Sequence, residues 1–129
     1  MRRIGLSLVL LGLIGCGPRV IHDKPVELDP GEVKGPVLLD LKKDARLSVE
    51  VTSLGVPVDV YVVLEKDQQA ASDAIAAEKT PAGVLAKELK TEGKTLEVTM
   101  PEQSGLAILV SNPLQNRKKT TATVKVSRL

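Results

Sequence analysis

Val58-Asp59-Val60-Tyr61-Val62-Val63-Leu64 is the stretch whose reading decides the fold of this 129-residue chain. Valine recurs at every second position from Val58 to Val62, and a two-residue apolar period belongs to a strand that buries one face. Valine is also stiff at χ1 and packs well on a pleated surface. The alternation predicts Val58, Val60, Val62 and Leu64 toward a core, with Asp59 and Tyr61 facing out. Upstream, Leu47-Ser48-Val49-Glu50-Val51-Thr52 alternates strictly, and Gly55 with Pro57 marks the turn between the two strands. Val33 to Leu41 reads as a strand broken near Gly35-Pro36. Downstream, Lys66 to Gly83 departs from the pattern. It is polar and alanine-rich, with Ala70, Ala71, Ala74 and Ile75 on one helical face and Asp67 placed to cap the start. A short helix near residues 67–78 is expected, ended by Thr80-Pro81 and Gly83.

The β pattern then resumes. Leu85 to Lys90 is short and charged, as sheet edges tend to be. Leu96, Val98 and Met100 alternate with Glu97 and Thr99 until Pro101 stops the strand. Leu106-Ala107-Ile108-Leu109-Val110 is nearly continuous apolar, which suits a central strand covered on both faces. Asn112-Pro113 turns the chain, and Gln115 to Thr120, with Arg117, Lys118 and Lys119, reads as a solvated hairpin loop. Ala122, Val124 and Val126 alternate with Thr121, Thr123, Lys125 and Ser127. Seven to eight short strands separated by turns, plus the short helix, predict an all-β fold: an antiparallel β-sandwich.

Composition excludes several functions. One tyrosine and no Phe or Trp leave no aromatic platform for sugars or single-stranded nucleic acid; Tyr61 reads as a half-buried strand residue. A Ser-His-Asp arrangement would have to use His22, the sole histidine. No carboxylate pair is singled out for glycosidase chemistry. A Walker loop, a Gly-rich dinucleotide turn and an alternating Asp/Asn calcium loop are all missing from the sequence. The candidates for a metal are Asp59 and Asp67, both more simply solvated carboxylates. No cofactor, no metal and no enzymatic activity are expected.

The start of the chain carries its most definable chemistry. Arg2 and Arg3 precede the apolar block Ile4 to Ile14, which is shorter than the ~20 residues a membrane-spanning helix needs and has the layout of an export signal. The block ends in Leu13-Ile14-Gly15-Cys16. This motif resembles the lipobox of bacterial lipoproteins: Leu, a small or aliphatic residue, Gly or Ala, then Cys. The resemblance implies cleavage between Gly15 and Cys16, a diacylglycerol on the Cys16 thiol and acylation (palmitate) of the new amino group. Two or three acyl chains hold a protein firmly to a bilayer, where one does so marginally. Gly17, not being Asp, implies release from an inner membrane, hence the outer side of a bacterial membrane and the outer membrane if the cell has one. A nucleophilic role for Cys16 would require a base within hydrogen-bond reach, and His22 lies six residues away among prolines.

With Cys16 acylated, no cysteine is left for a disulfide or a zinc site. The chain has 18 basic and 16 acidic residues; loss of Arg2 and Arg3 with the signal leaves a formally neutral mature chain, which argues against nucleic-acid binding by a basic surface. The expected organisation is a signal peptide at 1–15, acylated Cys16 with a tether to residue 30, and a domain over 31–129. Pro18, Pro25 and Pro30 mark the tether, and His22 is expected to be solvated within it.

A second resemblance lies further along. Val58-Asp59-Val60-Tyr61-Val62, Thr95 to Pro101, Ser104 to Asn112 and Thr123-Val124-Lys125-Val126 are together similar to bacterial pre-peptidase C-terminal domains. These are compact β-sandwiches that accompany catalytic domains, and some bind calcium or extracellular polymers. Leu106 and Ile108 depart from that pattern, since a tyrosine is common after the glycine that here is Gly105. The functional expectation is a non-enzymatic, lipid-anchored binding or structural module with a membrane lipid and an envelope protein as partners. The alternative is an accessory module for a protease or for envelope assembly, and a small hydrolase ranks behind both.

Overall fold

The computed structural model describes residues 19–129. The expected signal peptide, the expected cleavage between Gly15 and Cys16, and the expected lipidation of Cys16 lie outside the described residues.

Two antiparallel sheets face each other. The first has the order β1 (Arg19–Leu28), β9 (Thr120–Arg128), β4 (Arg46–Leu54), β7 (Gly93–Thr99). In the second, β8 (Ser104–Ser111) lies between β5 (Val58–Leu64) and an edge made of β2 (Val33–Lys34) and β3 (Val37–Leu41), while β6 (Val84–Thr91) extends the sheet beyond β5. The expected all-β antiparallel sandwich is therefore the observed architecture, with nine strands among the described residues in place of the expected seven or eight.

Alternation explains the interior. Leu47, Val49 and Val51 of β4, Val58, Val60, Val62 and Leu64 of β5, and Ala122, Val124 and Val126 of β9 share one inter-sheet core with Leu106, Ile108 and Val110 of β8. Without large aromatics the core is filled by many aliphatic side chains, each stabilising by roughly 1.5–3 kcal/mol on full burial. The other face of β8 is also covered. Ala107 and Leu109 form a second cluster with Tyr61, Val63 and two helix residues, Ala71 and Ile75. This is why Leu106 to Val110 reads as continuous apolar sequence.

The break in Val33 to Leu41 falls at Gly35-Pro36. A Cβ on Gly35 would collide with the Ile108 carbonyl oxygen, and Pro36 O accepts the Ile108 N–H at 3.0 Å. Only a glycine lets the edge come that close to β8. Strand β6 is a sheet edge, as expected for Leu85 to Lys90. Register shifts at both ends of its pairing with β5, together with Lys87, Glu88 and Lys90, discourage addition of a further strand.

Helix α1 (Gln68–Ala76) follows a 3₁₀ turn at Glu65–Asp67. It lies within the expected span 67–78 and buries Ala71 and Ile75, with Ala70 exposed. Asp67 occupies the N-cap position without a capping side-chain hydrogen bond; its carboxylate lies against Gly83 instead.

The tether expectation requires correction. Residues 19–28 are not a solvated spacer but strand β1, paired along its length with β9. Residues 19–28 thus belong to the folded domain, upstream of the expected boundary at residue 31. Pro25 and its neighbours read as breakers, yet proline is tolerated on an edge strand where its missing N–H faces solvent. Ile21, Val26 and Leu28 of β1 pack against the inter-sheet core.

Strand polarity gives the sandwich two ends. The proximal end holds the start of β1 and β4, the end of β9 and the β3–β4 turn. The distal end holds the close of β1 and β8, the start of β5 and β9, and the loop 112–119.

Candidate functional site

At the distal end, β5, β8 and the end of α1 enclose a groove of about 460 Å³. Its lining includes Asp59 and Tyr61 of β5, Ser111 of β8 with Pro113, and Ile75, Glu78 and Lys79 from the end of α1 and just beyond. Leu114 and Gln115 stand at its mouth and continue, with Glu78 and Arg117, into an adjoining concavity. Leu114 is 65 % exposed, so an apolar side chain stands in solvent among charged neighbours.

Each rim is fixed by local chemistry. Helix α1 ends in a Schellman motif: the Lys79 N–H donates to Ala74 O at 2.8 Å and the Glu78 N–H to Ile75 O at 2.9 Å. That motif calls for a left-handed residue, ordinarily glycine, and here Glu78 takes it with φ 61°. On the other rim a 3₁₀ turn at Leu114–Asn116 ends in Arg117, also left-handed at φ 57°. Non-glycine residues in that region are uncommon and strained by roughly 1–3 kcal/mol.

Beneath the loop lies a polar network. Asn112 is fully buried. Its amide donates to Leu28 O at 3.1 Å and to Lys118 O at 2.7 Å, and its carbonyl oxygen accepts from Asn116 Nδ2 at 2.9 Å. Asn116 Nδ2 also reaches Pro57 O at 2.8 Å. Nearby, the Ser53 hydroxyl donates to Val56 O, the Thr120 hydroxyl donates to Leu54 O, and the two hydroxyls lie 3.0 Å apart. The loop expected as a plain solvated hairpin is thus held from below by a buried asparagine. The dipeptide Asn112-Pro113 signalled a turn, but the partners Leu28 and Lys118 come from the fold alone.

The residues singled out in the sequence are dispersed. Asp59 accepts the Lys90 N–H at 2.8 Å and so supports the bulge where Lys90 has φ 53°. Asp67 lies beyond the opposite end of β5, roughly 20 Å away at the rise of a seven-residue strand. The two weak metal candidates therefore do not share a site. Among the described residues, no three His, Cys, Asp or Glu side chains converge. Tyr61, expected to face out, is only 9 % exposed because α1 covers it; burial and then the Asp59 charge push its phenol above the ordinary value. His22 sits on β1 opposite Val126 and is half-buried. Burial first and Lys24 second hold its imidazole below the ordinary pKa, and Asp23 opposes them.

No protein-family model and no curated protein matches the chain. Among solved structures, the fold is similar to that of PliG from Aeromonas hydrophila, a periplasmic lysozyme inhibitor of g-type lysozyme. The TM-score is 0.57 at 12% identity, over 88% of this chain and 90% of that one. The likeness is one of fold.

Proposed function

We propose that this chain is a lipid-anchored, non-enzymatic envelope module that binds another protein through the distal groove. The observation that carries the reading is Leu114, exposed where the groove meets the adjoining concavity that Glu78 and Arg117, both in left-handed backbone, also line. An apolar anchor on a loop tied down by buried hydrogen bonds, with charged and polar groups around it, is the arrangement from which binding hot spots are built. The periplasmic neighbour supports an exported location and a protein partner, and it makes a g-type lysozyme the first partner to test. Cys16 supplies the anchor on the outer side of a bacterial membrane, the outer membrane where the cell has one.

The test has two arms. Palmitate labelling and the signal-cleavage size shift are both lost in Cys16→Ala; labelling that persists in that variant removes the anchor from the reading. For the partner, calorimetry of the protein with g-type lysozyme and residual lytic activity are measured for wild type and Leu114→Asp. The expected result is binding weakened at least about tenfold by the substitution, the scale of a hot-spot loss. Wild type and variant binding alike would overturn the groove assignment. If g-type lysozyme does not bind, crosslinking in intact cells identifies the partner, and capture of a protease in its place supports the accessory-module alternative.

A further inference from the structure

The proximal end of the first sheet carries a charge arrangement that the rest of the sheet avoids. In the middle of the sheet, Lys125 of β9 lies in register between Asp23 of β1 and Glu50 of β4. Opposite charges across neighbouring strands stabilise a sheet, and like charges destabilise it. At the proximal end the rule is broken. Arg19 of β1 is the register partner of Arg128 of β9, and Arg128 in turn pairs with Leu47, next to Arg46 at the start of β4. Three adjacent strands thus end in arginine, spaced by roughly 4.8 Å per strand. Lys42 and Lys43 of the β3–β4 turn line one concavity with Arg46 and Arg128, shared with Asp40 and Asp44. Arg46 is paired with Glu97 at 3.2 Å. Among the described residues, no ion pair neutralises Arg19, Lys42, Lys43 or Arg128.

Position supplies the partner. Only Gly17 and Pro18 separate Cys16 from Arg19, a reach of about 10 Å at full extension. A chain acylated at Cys16 therefore has its arginine row at the level of the lipid headgroups, and the distal groove at the far end of the sandwich. The geometry points to the proximal end as a membrane-seating face: Arg19, Lys42, Lys43 and Arg128 bind the phosphates of anionic lipids in the bilayer that holds the acyl chains. The domain sits on the membrane in one orientation and presents the Leu114 groove outward. Unlike charges held apart by solvent, this row is compensated by the surface it rests on, in the manner of juxtamembrane basic clusters. The inference rests on the anchor reading above.

The test uses the full acylated protein in vesicles. A fluorophore is placed at Leu129→Cys, proximal, or at Lys118→Cys, distal; Cys16 is blocked by its lipid. Quenching by a headgroup-borne nitroxide is compared in phosphatidylglycerol–phosphatidylcholine vesicles and in phosphatidylcholine alone. The expected result is several-fold stronger quenching of the proximal label with phosphatidylglycerol present. The difference shrinks in high salt, where surface charges are screened, and in the variant combining Arg19→Gln, Lys42→Gln and Arg128→Gln, which still floats with the vesicles. Equal quenching of the two labels by protein that carries its lipid overturns the seating face while leaving the anchor intact. So does a proximal preference that is the same in both vesicle types, since chain length alone would then set the orientation. Protein that lacks lipid on Cys16 by mass and does not float removes the anchor and the seating face together.

Discussion

The two ends of the sandwich handle polar groups in opposite ways. At the distal end Asn116 bonds Asn112, and Asn112, Asn116, Ser53 and Thr120 each donate to a backbone carbonyl beside them. At the proximal end Arg19 faces Arg128, and among the described residues no carboxylate forms an ion pair with either. A buried amide is costly unless it is bonded within the protein, so the distal network is a scaffold for the loop it carries. Exposed like charges cost little in water and gain only from an outside anion. Internal satisfaction marks a structural region, and charge left over marks a surface suited to an external partner.

The distal half of that comparison breaks most easily at Asn112. Asn112→Ala removes the donors to Leu28 O and Lys118 O and the acceptor for Asn116. Leaving buried carbonyls unpaired costs about 1–3 kcal/mol, and the expected loss is about 3 kcal/mol in urea unfolding because several groups are stranded together. A loss below about 1 kcal/mol would mean that water replaces the amide and that the network does not hold the loop.

A second, smaller substitution separates stability from function at the same end. Glu78 is left-handed at the C′ position of α1, where glycine carries no Cβ penalty. Glu78→Gly should stabilise the domain by about 1 kcal/mol, read as a raised urea midpoint, and should weaken partner binding because the rim loses its side chain and its rigidity. Stabilisation with binding unchanged would show that the strained rim plays no part in recognition.

The contrast between the ends also separates what sequence periodicity records from what it omits. Val58 to Leu64 and Leu106 to Val110 carry the sandwich in their patterns, because each residue there faces either the inter-sheet core or the helix-covered cluster. Strand β1 is hidden in sequence because Pro25 punctuates it and its apolar residues are few, whereas an edge position tolerates both. The cover over Tyr61 is hidden because α1 is built largely from Ala, Gln and Asp, and its depth comes from docking on β5 and β8. Neither end is readable in advance. Arg19, Arg46 and Arg128 come together only through strand register, and the partners of Asn112 lie 84 and 6 residues away. Cys16, the residue with the plainest motif, lies outside the described residues.

At the proximal end the expected effects are small and of opposite sign. Arg128→Gln removes the charge facing Arg19 across β1 and β9. The isolated domain in solution should gain about 0.3 kcal/mol, on the scale of a single cross-strand pair, with the gain fading at high salt. A loss of stability at low salt would show that Arg128 already has a compensating partner within the chain, and the contrast between the two ends would fail there.

His22 tests the same end through pH and carries the smallest effect. It lies at the register shift of β1, beside Asp23 and Lys24 and opposite Val126. Because burial and Lys24 lower its pKa in the folded chain, the unfolded chain binds the imidazole proton more readily. Stability is then complete above the ordinary value of about 6.5, and it declines as pH falls through that value toward the lowered one. His22→Gln should flatten this part of the pH profile and leave the plateau above neutrality in place. An unaltered slope in the variant would assign the acid sensitivity to carboxylates, among them Glu32, whose pKa is lowered first by the Asp29 N–H and also by Lys34. A carboxylate with a lowered pKa loses its contribution as pH falls from its own ordinary range, well below that of histidine, so the position of the decline on the pH axis tells the two origins apart.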